Sequence, residues 1–117
     1  IVNGFRDVIE SINQDTDFSS LKISISKDVD HVVDRIDDRR YDAVTVMKKL
    51  KSAFMNNKCL MIFYAYLENR PIRVEFKAKE FTIGLTMYEF EDRKVFKIRT
   101  VVPSTRPSRI STFVVDI

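Results

Sequence analysis

Tryptophan is missing from this 117-residue chain, cysteine and histidine occur once each, glycine twice and proline three times. The single cysteine, Cys59, excludes an internal disulfide and a multi-cysteine zinc site. Its place in the apolar run 59–67 makes a buried, inert thiol the expected state. With only Gly4 and Gly84 present, no G-x-x-x-x-G-K-[ST] phosphate loop exists, and there is no G-x-S-x-G nucleophile turn, so P-loop and esterase-type chemistry drop out. No segment reaches the length of apolar sequence that spans a bilayer, and no membrane role is expected. The opening Ile1, Val2, Asn3 and Gly4 lack an initiator Met and the order of a secretory signal. Ile1 is therefore read as the product of trimming, and the cytoplasm (of a host cell, for a phage-encoded chain) as the location.

What is present is ordinary for a globular protein: 44% hydrophobic and 32% charged residues, enough for one domain over residues 1–117 to bury a core without staples. The net charge of +3 conceals a segregation. Residues 1–42 hold ten acids and six bases, whereas residues 43–117 hold seven acids and fourteen bases. A basic half of this kind is the electrostatic footprint of a phosphate-bearing partner, and an ordinary solvated surface is the alternative.

Apolar residues recur at helical spacing in the first half. Phe5, Val8, Ile9 and Ile12 predict a helix over 3–13, followed by a polar loop. Residues 21–26 alternate as a strand or an extended connector. Ser26, with Asp28 and Asp30, is a plausible cap for a helix running to Arg39. Val44, Met47, Leu50 and Phe54 predict a third helix ending near Asn57, and 59–67 reads as a short helix or a strand, with helix favoured. From Ile72 the period becomes two. Ile72 to Lys79, Phe81 to Tyr88, 95–102 and 110–115 predict a four-stranded meander. The expected class is thus α+β, with N-terminal helices packed on one face of a four-stranded antiparallel sheet. The apolar line Phe96, Ile98, Thr100, Val102 would face the helices, leaving Arg73, Lys77, Lys79, Thr82, Thr86, Tyr88, Lys97 and Arg99 on the opposite face.

The segment 29–39, VDHVVDRIDDR, sorts its charges by sign. Val29, Val32, Val33 and Ile36 share one helix face, the aspartates Asp30, Asp34, Asp37 and Asp38 one flank, and His31, Arg35 and Arg39 the other. Arginine forks grip phosphate oxygens, and histidine is the side chain whose ordinary pKa suits proton transfer near neutrality. In RNA the 2′-hydroxyl attacks its own phosphate, so a base, an acid and cations suffice, with no metal or other cofactor. The aspartates lack the glycine-bearing loop of a calcium site, so no metal ligand is assigned.

The stretch from His31 to Lys51, HVVDRIDDRRYDAVTVMKKLK, resembles the H-x-x-D-R-x-x-x-R segment of the RegB-type phage endoribonucleases, within the wider RelE-like group of small messenger-RNA-cleaving folds. The order of helices and strands from about residue 20 onward is similar to theirs. The resemblance implies that His31 and Arg35 work on the scissile phosphate and that Arg39 is a further basic position. Where that family has a second functional histidine near the end of the next helix, this chain has Lys51, so Lys51 or Tyr88 would have to supply the remaining proton or charge. The expected activity is a metal-independent endoribonuclease on single-stranded messenger RNA. His31, Arg35, Lys51 and Tyr88 would be catalytic, and Arg39, Arg73, Lys77, Lys97 and Arg99 would hold RNA. A ribosome or antitoxin partner stays open. The alternatives are a non-catalytic nucleic-acid- or protein-binding module of the same fold, or a structural protein.

Overall fold

The change of period near residue 70 becomes a change from helix to sheet. The computed structural model describes residues 1–67, 70–108 and 112–117. The elements are α1 (Val2–Asn13), α2 (Thr16–Ser20), β1 (Ile23–Ile25), α3 (Asp30–Asp38), α4 (Ala43–Asn56), α5 (Lys58–Ala65), β2 (Ile72–Lys77), β3 (Phe81–Phe90), β4 (Arg93–Pro103) and β5 (Thr112–Asp116). The architecture is α+β, but the sheet is five-stranded and mixed, in the order β1-β4-β3-β2-β5. β2, β3 and β4 form the expected antiparallel meander, while β1 joins β4 in parallel and β5 joins β2 in parallel. The correction has a simple cause. β1 occupies the edge of β4, so the last strand crosses to the far side of β2. Residues 110 and 111, included in the expected last strand, lie outside the described residues.

One face of this sheet is buried. Phe54 of α4 is 1% exposed and stands edge-on to Phe76 of β2 (5.2 Å between ring centres), Phe96 of β4 (5.4 Å) and Phe18 of α2 (6.2 Å). Edge-to-face aromatic contacts add to the area they bury. Val29, Val32, Val33 and Ile36 join the same buried cluster, as do Phe5, Ile9 and Ile12 of α1. Tyr64 of α5 covers Phe113 of β5 (4.8 Å). The helix α5 turns Met61, Tyr64 and Ala65 inward and leaves Cys59 exposed, which corrects the expected buried thiol.

Short elements without a readable period hold the edges together. α2 carries one buried apolar residue, Phe18, and owes its start to Asp15, whose carboxylate accepts from the N–H groups of Asp17 and Phe18 and pairs with Lys58 at 2.9 Å. The Asn13 side chain both accepts from the Ile25 N–H (2.7 Å) and donates to the Ile25 carbonyl (3.1 Å), standing in for a neighbouring strand beside β1. Ser26 does not cap α3. Its hydroxyl accepts from the Asp28 N–H within the preceding turn, its own N–H donates to the Phe96 carbonyl, and α3 begins behind Val29 without a side-chain cap.

A second correction concerns β4. Leu85 pairs with Ile98 but Gly84 pairs with Thr100, so Arg99 is an extra residue and the strand bulges there. Beyond the bulge the alternation inverts. Val101, fully buried, faces the helices, and Thr100 and Val102 lie on the other face.

Phe54→Ala should lower unfolding free energy by about 3–5 kcal/mol, measured by urea denaturation, because three aromatic neighbours cannot close over the void. The Lys58 ammonium holds the Asp15 carboxyl below its ordinary pKa, helped by the backbone N–H bonds, while Asp15 and Asp17 raise that of Lys58. Stability from Asp15 is present above its unfolded pKa and lost as pH falls through the lowered folded value. That from Lys58 is present below its unfolded pKa and lost as pH rises through the raised one. The melting-temperature gap between the wild type and Asp15→Asn should therefore be widest near neutrality and shrink in acid.

Candidate functional site

The face of the sheet turned away from the helices carries a groove of about 490 Å³. Register and alternation account for its lining. Arg73, Thr86 and Lys97 form one cross-strand row, and Glu75, Gly84 and Thr100 form the next. The bulge adds Arg99, whose Nε donates to the Thr86 hydroxyl at 3.3 Å, and the turn after β4 adds Arg106 and Pro107. Gly84 forms the floor, where a Cβ would sit 3.1 Å from Thr100 Cγ2. Among the described residues no carboxylate lies within ion-pair distance of Arg73, Arg99 or Arg106. Glu75, the one acid in the lining, accepts from the Ser108 hydroxyl.

The helix α3 lies along the edge of β4 beyond β1. Asp28, just before the helix, pairs with Lys97 at 3.0 Å, and Arg39, just after it, donates to the Val101 carbonyl and to the Thr100 hydroxyl at 3.3 Å. These two anchors bracket Arg99. Of the α3 flank that carries His31, Arg35 and Arg39, the residue tied to the sheet is Arg39, beside Thr100 of the open face. Along this flank Arg39 is bound to the sheet edge, Arg35 is half-buried and His31 is exposed.

The residues expected to form one catalytic set are thus divided. Lys51 belongs to α4, whose Phe54 packs on the buried face, whereas Tyr88, opposite Val95, lies on the open face. Lys51 and Tyr88 stand on opposite sides of the sheet and do not share a site. Arg39 completes a strand edge, and Lys97 is matched by Asp28. Arg73 and Arg99 line the groove, and Lys77 stands beside Thr82 in the row at its end.

Two residues escaped the sequence reading. Arg106 lies in a proline-bounded turn with no period to place it. Phe90, 60% exposed, continues the alternation of Thr86 and Tyr88 on the open face, and stopping β3 at Tyr88 hid it. Among the described residues no group of three or more His, Cys, Asp or Glu side chains is placed to hold a metal ion, and no helix is long and apolar enough to cross a membrane. No family model, no curated protein and no solved structure matches the chain.

Arg39→Ala should cost about 1 kcal/mol of stability by exposing the Val101 carbonyl edge, measured by urea denaturation. Arg35→Ala, which removes no such bond, should cost less.

Proposed function

We infer that the domain binds single-stranded RNA along its open sheet face, with cations gripping phosphates and two aromatic rings supporting bases. The groove carries this reading, since among its described residues the arginines Arg73, Arg99 and Arg106 come from β2, β4 and the following turn, with Glu75 the acid beside them. From Gly84 to Phe90 the strand β3 covers about 20 Å at ~3.3 Å per residue, room for a few nucleotides. Tyr88 and the exposed Phe90 occupy its far end, where bases stack without regard to sequence. Binding of this kind weakens with salt as counterions return to the phosphates.

A second reading, endonucleolytic cleavage, draws on the exposed His31 one helical turn from Arg35, on a helix anchored to the β4 edge through Arg39, and on the resemblance to the RegB-type enzymes. His31 takes the 2′-hydroxyl proton while Arg35 neutralises the phosphate, and the second proton-transfer group is Tyr88 rather than Lys51.

Fluorescence anisotropy with a labelled pyrimidine 8-mer tests the first reading. Phe90→Ala should weaken binding by about 1–3 kcal/mol. Arg99→Ala should reduce the slope of log affinity against log salt by about one. Salt-independent binding, or none, overturns it. For the second, labelled RNA incubated with the protein in chelator should yield 2′,3′-cyclic phosphate ends that vanish in His31→Ala; undiminished cleavage by that variant removes His31 from the chemistry.

A further inference from the structure

The groove differs from a simple track for a nucleic-acid backbone in three respects. Its arginines come from three sides instead of following a line: Arg73 and Arg99 flank Thr86 on β2 and β4, and Arg106 joins the lining from the turn after β4. Among the described residues of the lining, three positive side chains stand against Glu75. An internal phosphodiester carries one negative charge, whereas a phosphomonoester carries about −1.5 to −2 at neutral pH and offers three acceptor oxygens. The volume of about 490 Å³ falls within the ~300–1,000 Å³ typical of small-ligand sites.

The floor adds an independent observation. Thr82 is 2% exposed, borders the groove, and its hydroxyl has no hydrogen-bond partner among the described residues. The hydroxyl is closed off from solvent, so Thr82 gives the groove a packed floor and leaves the polar grip to the arginines above it. Beside it, Gly84 keeps the floor clear of a side chain, and the second carboxylate oxygen of Glu75 suits a donor such as a sugar hydroxyl.

We propose that this groove is a subsite for the terminal phosphate of a nucleotide chain, a phosphomonoester dianion held by Arg73, Arg99 and Arg106 over Thr82 and Gly84. The proposal rests on the reading that the open face binds RNA, and it adds polarity: one phosphorylated end is seated in the groove and the chain leaves along β3 toward Phe90. A nucleoside monophosphate presents the same chemistry, and the experiment separates the two sources.

Isothermal titration of the full chain with hexauridylate bearing a 5′-phosphate, a 3′-phosphate or no terminal phosphate, and with uridine monophosphate, tests it. One phosphorylated hexamer should bind about tenfold more tightly than the hydroxyl-ended one. Arg106→Ala, in an exposed turn, should erase that preference, and Arg73→Ala should reduce it severalfold, with circular dichroism confirming the fold of each. Equal, salt-sensitive affinity for all three hexamers overturns the subsite and leaves open-face binding standing. So does a preference unmoved in both variants. Tight binding of uridine monophosphate without binding of any hexamer supports the subsite, assigns it to free nucleotides and overturns the RNA reading. Binding of none of the four overturns both.

Discussion

Everything in this fold depends on burying a single face of the sheet. Phe54 reaches Phe76 and Phe96 on adjoining parts of the same apolar surface, and the other helices complete the cover around it. A sheet buried on one side has no apolar demand on the other, so that side accumulates side chains that tolerate water. The chain places cations there. This division creates both the open face and the boundary behind it: a residue of α4 and a residue on the open side of β3 are separated by the sheet itself.

The boundary is crossed only at the edge of β4, where the fold must satisfy a strand that β1 covers for three residues. Ser26 takes the Phe96 carbonyl, and Arg39 takes the Val101 carbonyl from the end of α3. An exposed edge is an aggregation hazard, and a helix laid along it is a common remedy. Here the remedy has a consequence for the surface. It brings Arg39 to the rim of the open face beside Thr100, while the bulge at Arg99 sets two successive polar residues on that face and returns Val101 to the core. Strand protection and surface charge are one arrangement.

Much of this was legible from the residues, for reasons that also mark where legibility ended. Long periodic segments announce their own faces, which is why α1, α4 and the central strands could be read, as could the open-face positions of Arg73, Lys77, Tyr88 and Lys97. A three-residue strand has too few residues to show a period, so β1 reads equally as strand or connector, and its parallel pairing, like that of β5, is a matter of which edge remains free. The helix α2 rests on the Asp15 side chain and one phenylalanine, a signal carried by capping and not by pattern. A bulge adds one residue without any change of composition, so the exchange of Val101 and Thr100 between faces was invisible. Charge was visible but its pairing was not: Asp28 matches Lys97 across nearly seventy residues of chain.

The same distinction bears on how binding and chemistry divide in this molecule. Grip on a polyanion needs only cations of the right sign near one another, and it survives the loss or rearrangement of any one of them. Chemistry needs a base, an acid and a charge stabiliser held within hydrogen-bond reach of the same atoms. The sheet separates Lys51 from Tyr88, so His31, Arg35, Lys51 and Tyr88 do not form one site, and Arg39, expected to hold RNA, is committed to the β4 edge. The groove suffers no such loss, because its arginines are supplied by register, bulge and turn, and among the described residues none of them is paired with a carboxylate. The proposed binding at the open face therefore asks less of this sequence than the proposed cleavage, which needs His31 and Arg35 held within reach of a bound strand's own 2′-hydroxyl.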